Sequence, residues 1–195
     1  CKSKISAQYF WVELSFAVLS CIILFISKDF NIYIWSAKYV LLMVMFAFFL
    51  CTFVYDLKHK IMPDDWTVGA LASAIIYSVF FGVGFKLAVL GGLLVGIPLA
   101  LIYFLSRGRA MGFGDVKFAP IMGVLLGASG GFSAMMIAFW VGGVLGIYLL
   151  IKYPKKINRK SEIPFGPFLI IGTTFAFIFN LNLDILLTCF QRILS

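Results

Sequence analysis

Long apolar runs separated by short clusters of charge set the pattern of this chain. Apolar stretches occupy about 9–27, 34–55, 66–85, 87–106, 132–151 and 165–187. Each is close to the about 20 residues that a helix rising about 1.5 Å per residue needs to cross a hydrocarbon core about 30 Å thick. The pattern therefore predicts six membrane-spanning helices. A further stretch, VKFAPIMGVLLGA at 116–128, is shorter and contains Pro120. It reads either as a short crossing or as a re-entrant segment.

Composition agrees with an apolar solvent. Hydrophobic residues make up 63% of the chain, charged residues 12%, and the mean hydropathy is +1.06; a soluble domain is about half apolar and about a quarter charged. The expected fold class is all-α, a polytopic transmembrane helical bundle. A net charge of +8 would suggest nucleic acid in a soluble chain, but in a membrane protein Lys and Arg mark the cytoplasmic loops. The bilayer is the expected partner and nucleic acid is not.

The same charges choose between the two topologies. If 116–128 crosses, the N-terminus and the loops 56–65, 107–117 and 152–163 share one side. That side carries Lys2, Lys4, Lys58, Lys60, Arg107, Arg109, Lys117, Lys152, Lys155, Lys156, Arg159 and Lys160, against Lys28, Lys38, Lys86 and Arg192 opposite. If it does not cross, the two sides balance. The charges favour seven crossings with the N-terminus cytoplasmic. There is no internal repeat and no linker, so residues 1–195 are expected to form one domain whose polar chemistry lies on a small cytoplasmic face.

Cys1, Cys21, Cys51 and Cys189 have no CxxC spacing, and the last three lie in apolar runs, where a free thiol behaves as a small hydrophobe. Neither a disulfide nor a complete metal site follows. His59 is the only histidine and stands in a basic loop, which leaves a histidine-based triad or a zinc site without support.

Eight acids remain: Glu13, Asp29, Asp56, Asp64, Asp65, Asp115, Glu162 and Asp184. A carboxyl at the edge of a span is costly, and so marks a functional site by default. Asp56 follows the apolar run ending FLCTFVY, and Asp115 precedes the short run beginning VKFAP. Both fall at cytoplasmic ends, and the two spans between them return the chain to the side it left. Two carboxyls brought together cannot easily both ionise and share a proton; one then acts as general base on a water while the other acts as general acid. Gly112 and Gly114, lacking Cβ, would permit unusual backbone angles and the close approach of an extended substrate strand. On its own, AMGFGDVKF also reads as a glycine turn followed by a helix-capping Asp115.

Three stretches together change that balance. DLKHKIMPDDWT from Asp56, MGFGDVK ending just after Asp115, and EIPFGPFL at 162–169 resemble, in this order and spacing, the type IV prepilin leader peptidases, a GxGD family of membrane aspartic proteases. The resemblance implies that Asp56 and Asp115 are the catalytic pair; the dyad chemistry itself needs no metal or cofactor, and Gly112 and Gly114 keep the substrate-bordering role read from their missing Cβ atoms. The resemblance further implies an enzyme of the bacterial inner membrane that removes the short basic leader of type IV prepilins or pseudopilins. The opening CKSKISAQYFWVEL is similar to the family segment in which a cysteine-bearing cytoplasmic loop enters the second helix, with Phe10 where a proline is usual. On this reading residues 1–8 are the remnant of that loop, Cys1 is its last cysteine, and the seven spans are the second to eighth of eight. Many family members also methylate their product with S-adenosylmethionine through that N-terminal region, and this activity is not carried over.

Other residues have simpler readings. Asp64 and Asp65 lie past Pro63 and suit a turn or a helix cap. Glu13 suits a snorkelling position or a pair with Lys4, and Lys117 an interfacial anchor or a partner of Asp115 or lipid. Gly166 and Pro167 either shape the entry of the last span or border the active site, where their side chains offer no acid or base. A Cys1 lipid anchor would place that residue on the outer side, against the charge pattern. Two rivals to the leader peptidase remain: a GxGD protease with another substrate, favoured by the Tyr55–Asp56 pair but not by PFGPF where a PAL motif is expected, and a non-enzymatic transporter or scaffold using the two acids as a cation site.

Overall fold

The computed structural model describes residues 7–26, 32–109, 111–152 and 164–183. Among these, six helices follow one another: α1 Ala7–Ile26, α2 Ile32–His59, α3 Asp64–Phe80, α4 Phe85–Ser106, α5 Phe113–Lys152 and α6 Gly166–Phe179. No strand occurs among the described residues. Cys1, Lys2, Lys4, Lys28, Asp29, Lys155, Lys156, Arg159, Lys160, Glu162, Asp184, Cys189 and Arg192 lie outside them.

The fifth helix is two helices. Gly127 has φ 72° and ψ 177°, which breaks the helical path, and an L side chain is strained at such a positive φ. The arm α5a (113–126) runs against α4 in the opposite direction, with Pro120 on Gly96, Val124 on Gly92 and Gly123 on Gly91. At about 1.5 Å per residue it is about 20 Å long, and Gly127 lies near Val83 in the α3–α4 turn. The second arm, α5b (128–152), folds straight back, so that Gly131 packs on Gly123 and Val95. The run expected at 116–128 is thus one arm of a tight helical hairpin. With α5 divided, seven helical segments alternate in direction.

Small residues explain how three of them come so close. A methyl group on Gly91 would meet the carbonyl oxygen of Gly123, and one on Gly123 would meet that of Gly91. Gly92 and Gly96 add a small-xxx-small ridge to α4, the spacing that lets helix backbones approach in lipid. The hydroxyl of Ser78 donates to the carbonyl oxygen of Val124, 2.7 Å away, tying α3 to α5a near the reversal. Between α5b and α6, Gly172 lies against Ala134 and Ala138.

The core is aromatic and centred on α2. Phe46 and Phe49 are edge-on at 5.5 Å; Phe49 meets Phe118 of α5a at 5.2 Å, and Phe46 meets Phe177 of α6 at 5.6 Å. Edge-to-face geometry aligns the positive ring edge with the negative face. Outward positions are apolar as well: Leu93, Ile97, Leu101 and Leu105 are all exposed along α4. Water would make such a surface unfavourable, and lipid does not. By length and composition Ala37–His59, Phe85–Ser106 and Phe113–Lys152 suffice to cross a membrane.

Candidate active site

Asp56 belongs to the buried stripe of α2 formed by Leu42, Met45, Phe46, Phe49 and Thr52, spaced so that each returns to one helix face. The helix continues one turn past the expected end, to His59, so Asp56 lies inside it and is only 5% exposed. Lys58 and His59 occupy the last turn, where positive charge suits the helix dipole. Lys60 adopts a left-handed φ of 56°, its N–H still donates to the Asp56 carbonyl, and Pro63 then sets the extended approach to α3.

Asp115 lies in the first turn of α5a and is also 5% exposed. Its Oδ2 accepts a hydrogen bond from the Gly112 N–H at 3.2 Å. A third-position side chain reaching back to the residue before the helix is one half of a capping box. Capping and chemistry are compatible here, because that bond engages only one carboxyl oxygen. Met62 packs beside Gly114, next to Asp115, and meets Gly166, which lies against Asp56 Oδ2, so the topology brings the two buried acids to one end of the bundle.

The packing around them joins all three sequence stretches. Met62, 5% exposed in the turn after α2, fills the space beside Gly114: a Cβ there would stand 2.9 Å from its Cγ. A Cβ on Gly166 would overlap both Met62 Cε and Asp56 Oδ2. The first residue of α6 therefore rests on the Asp56 carboxyl and brings the positive end of that helix dipole against it. The sequence reading puts Gly166 and Pro167 at the entry of the last span or at the border of the site, and assigns Met62 no role. An apolar side chain lodged between Gly114 of α5a and Gly166 of α6 carries no signature in a linear sequence.

Neither Gly112 nor Gly114 has a left-handed backbone; the positive-φ glycines among the described residues are Gly84, Gly108 and Gly127. Unusual backbone angles are thus not what places glycine there. At Gly114 the reason is room for Met62, whereas a Cβ at Gly112 would make only ordinary contact, at 3.6 Å, with Asp115 Oδ2.

Other charged residues among those described have partners or places of their own. Lys117 forms an ion pair with Asp64 and lies 4.7 Å over the ring of Phe113; its partner is Asp64 and not Asp115. That pair links the start of α3 to α5a at the carboxyl end of the bundle. Asp65 and Glu13 are exposed. His59 stacks on Tyr55 at 4.4 Å, and Tyr55 meets Trp66 edge-on at 5.3 Å. No cluster of three His, Cys, Asp or Glu able to hold a metal occurs among the described residues. Cys21 and Cys51 are exposed free thiols.

An apolar helical bundle with lipid-compatible outer faces and two buried carboxyls at one end is a multi-pass membrane protein. Residues 43–147 match the model of the type IV leader peptidase family, and this chain belongs to that family. It is 29% identical over 177 residues to a prepilin leader peptidase/N-methyltransferase of Aeromonas salmonicida, covering 88% of this chain and 58% of that protein. The protein of the same name in Legionella pneumophila is 31% identical over 181 residues, with 88% and 59% covered. That of Pectobacterium carotovorum is 26% identical over 187 residues, with 92% and 63% covered. The chain thus spans about three fifths of the length of the curated relatives it matches. No solved structure matches it.

Proposed function

We propose that this protein is a membrane aspartic endopeptidase that removes the short basic leader from type IV prepilins or pseudopilins, with Asp56 and Asp115 as its catalytic pair. The observation that carries the reading is the burial of both acids at the same end of the bundle, on helices far apart in sequence, at a site built by all three family stretches. Family membership and the names of the relatives support the substrate class.

In this mechanism the ionised carboxyl takes a proton from water as its oxygen attacks the scissile carbonyl carbon. The protonated carboxyl hydrogen-bonds the carbonyl oxygen, and the tetrahedral intermediate collapses as a proton passes to the leaving amine. No covalent enzyme intermediate is needed. The Gly112 N–H fixes the orientation of Asp115, and Gly166 limits where the Asp56 carboxyl can go. Such fixed geometry lowers the barrier because the groups need not reorganise during reaction. The proposal concerns hydrolysis alone, which uses no cofactor, and assigns no S-adenosylmethionine site to these residues. Gly112 and Gly114 remain the proposed border of the substrate strand.

The site is proposed to face the cytoplasm across the bacterial inner membrane, with seven crossings and the N-terminus inside. Supporting this, Lys58, Lys60, Arg107, Arg109, Lys117 and Lys152 lie at helix ends on the carboxyl side of the bundle, and Lys38 and Lys86 toward the other. A substrate helix could then remain in lipid while its cytoplasmic end reaches the acids. The test is incubation of the purified protein in detergent with a panel of prepilins, followed by N-terminal sequencing. Cleavage at the end of the basic leader is expected; folded protein that cleaves none of the panel overturns the substrate assignment.

A further inference from the structure

Thr52 is the exception among the buried hydroxyls of the described residues. Thr67, Ser73, Ser133, Thr173 and Thr174 each donate to the carbonyl four residues back, the usual outlet for a hydroxyl inside a helix. Thr52 is 1% exposed, yet its Oγ1 is the one buried side-chain polar atom among the described residues without a hydrogen-bond partner. An unsatisfied buried hydroxyl is unfavourable, and its presence calls for a reason.

Its place on α2 supplies one. Thr52 stands one turn before Asp56 on the same buried stripe, and side chains four apart on a helix are neighbours. The Cα–Cβ bonds of a helix tilt toward its N-terminus, so the Asp56 side chain leaves the backbone in the direction of Thr52. From the Phe49–Phe118 contact, Thr52 lies three residues along α2 and Asp115 three residues back along the antiparallel α5a. Thr52 is therefore level with the second acid as well. Asp56 Oδ2 faces Gly166, leaving Oδ1 as the oxygen that can turn toward the hydroxyl.

We propose that Thr52 is a positioning residue for Asp56, its hydroxyl donating to Asp56 Oδ1 when substrate occupies the site. The bond fixes the plane of the carboxyl and so the direction in which Asp56 exchanges a proton with the attacking water. This rests on the assignment of Asp56 and Asp115 as the catalytic pair. Leaving the donor unpaired in the free protein reserves the gain for the reacting complex, which raises turnover more than substrate binding.

The test compares wild type with Thr52→Val, Thr52→Ser and Asp56→Asn, each as the full chain in detergent acting on one prepilin. Valine keeps the shape and removes the hydroxyl; serine restores it. Thr52→Val is expected to lower kcat about 10- to 100-fold with KM within about twofold, the pattern of an interaction made only in the transition state. Its thermal midpoint should not fall, since the hydroxyl has no partner to lose, and Thr52→Ser should retain most of wild-type kcat. The inference is overturned if Thr52→Val cleaves like wild type while Asp56→Asn is inactive. It is also overturned if Thr52→Ser falls as far as Thr52→Val, or if the midpoint of Thr52→Val drops with its activity. Cleavage by Asp56→Asn at the wild-type rate would instead overturn the catalytic pair itself.

Discussion

Replacing Gly166 with alanine should disable the site without unfolding the bundle. The added methyl would overlap Asp56 Oδ2 and Met62 Cε, with Asp56 Cγ at 3.3 Å. The end of Met62 is a flexible thioether and can yield, but the Asp56 carboxyl is confined by its own helix and must retreat by about an ångström. A misplacement of about 1 Å costs a reacting group about 100-fold in rate, equivalent to about 2.7 kcal/mol of lost transition-state stabilisation. Overpacking of this kind also costs about 1–3 kcal/mol of stability. The assay is single-turnover cleavage of a prepilin in detergent, with the thermal midpoint measured on the same samples. Gly146→Ala is the control, because a Cβ there meets nothing within 4 Å; it should retain both rate and stability. Wild-type cleavage by Gly166→Ala would refute the claim that this glycine holds the Asp56 carboxyl in its working position.

Two other substitutions probe the frame that carries the acids. Gly123→Ala places a methyl against the Gly91 carbonyl and 2.8 Å from the Gly92 nitrogen; backbone cannot swing aside, so a loss of about 3 kcal/mol is expected, read as a lower thermal midpoint and poorer accumulation in the membrane. Ser78→Ala removes the donor to Val124 and should cost about 1–2 kcal/mol by thermal unfolding while leaving cleavage by the remaining folded protein unchanged, since the bond lies at the end of α5a away from Asp115.

The helices were legible because the hydrophobic requirement of a bilayer is written in consecutive residues. The stretch 66–85 ends earlier than expected, at Phe80, where the turn through Gly82 and Gly84 begins, and Gly127 reverses the chain without any loop. Both depend on the glycine backbone, which hydropathy does not register. Within the candidate site, Asp56 and Asp115 stood out because acids are rare and expensive in such a chain. What holds them was hidden. Met62 looks like any apolar residue, the contact between Gly166 and Asp56 exists only once α6 packs on α2, and the spacing of Thr52 says nothing about whether its hydroxyl has a partner. For Lys117 the sequence leaves an interfacial anchor, a lipid partner or Asp115 open, and Asp64, 53 residues away, comes to it only in the fold.

The central claim is that Asp56 and Asp115 act together on a peptide bond, and single-turnover cleavage by Asp56→Asn and Asp115→Asn tests it most directly. Each amide keeps the size of its carboxyl and removes the ability to exchange a proton with water. Purified variants that fold like wild type, tested against a prepilin that wild type cleaves, should each lose leader removal, and the double variant should be no worse than either single one, as for groups that act as a unit. Cleavage by either single variant at a rate close to wild type would contradict the account.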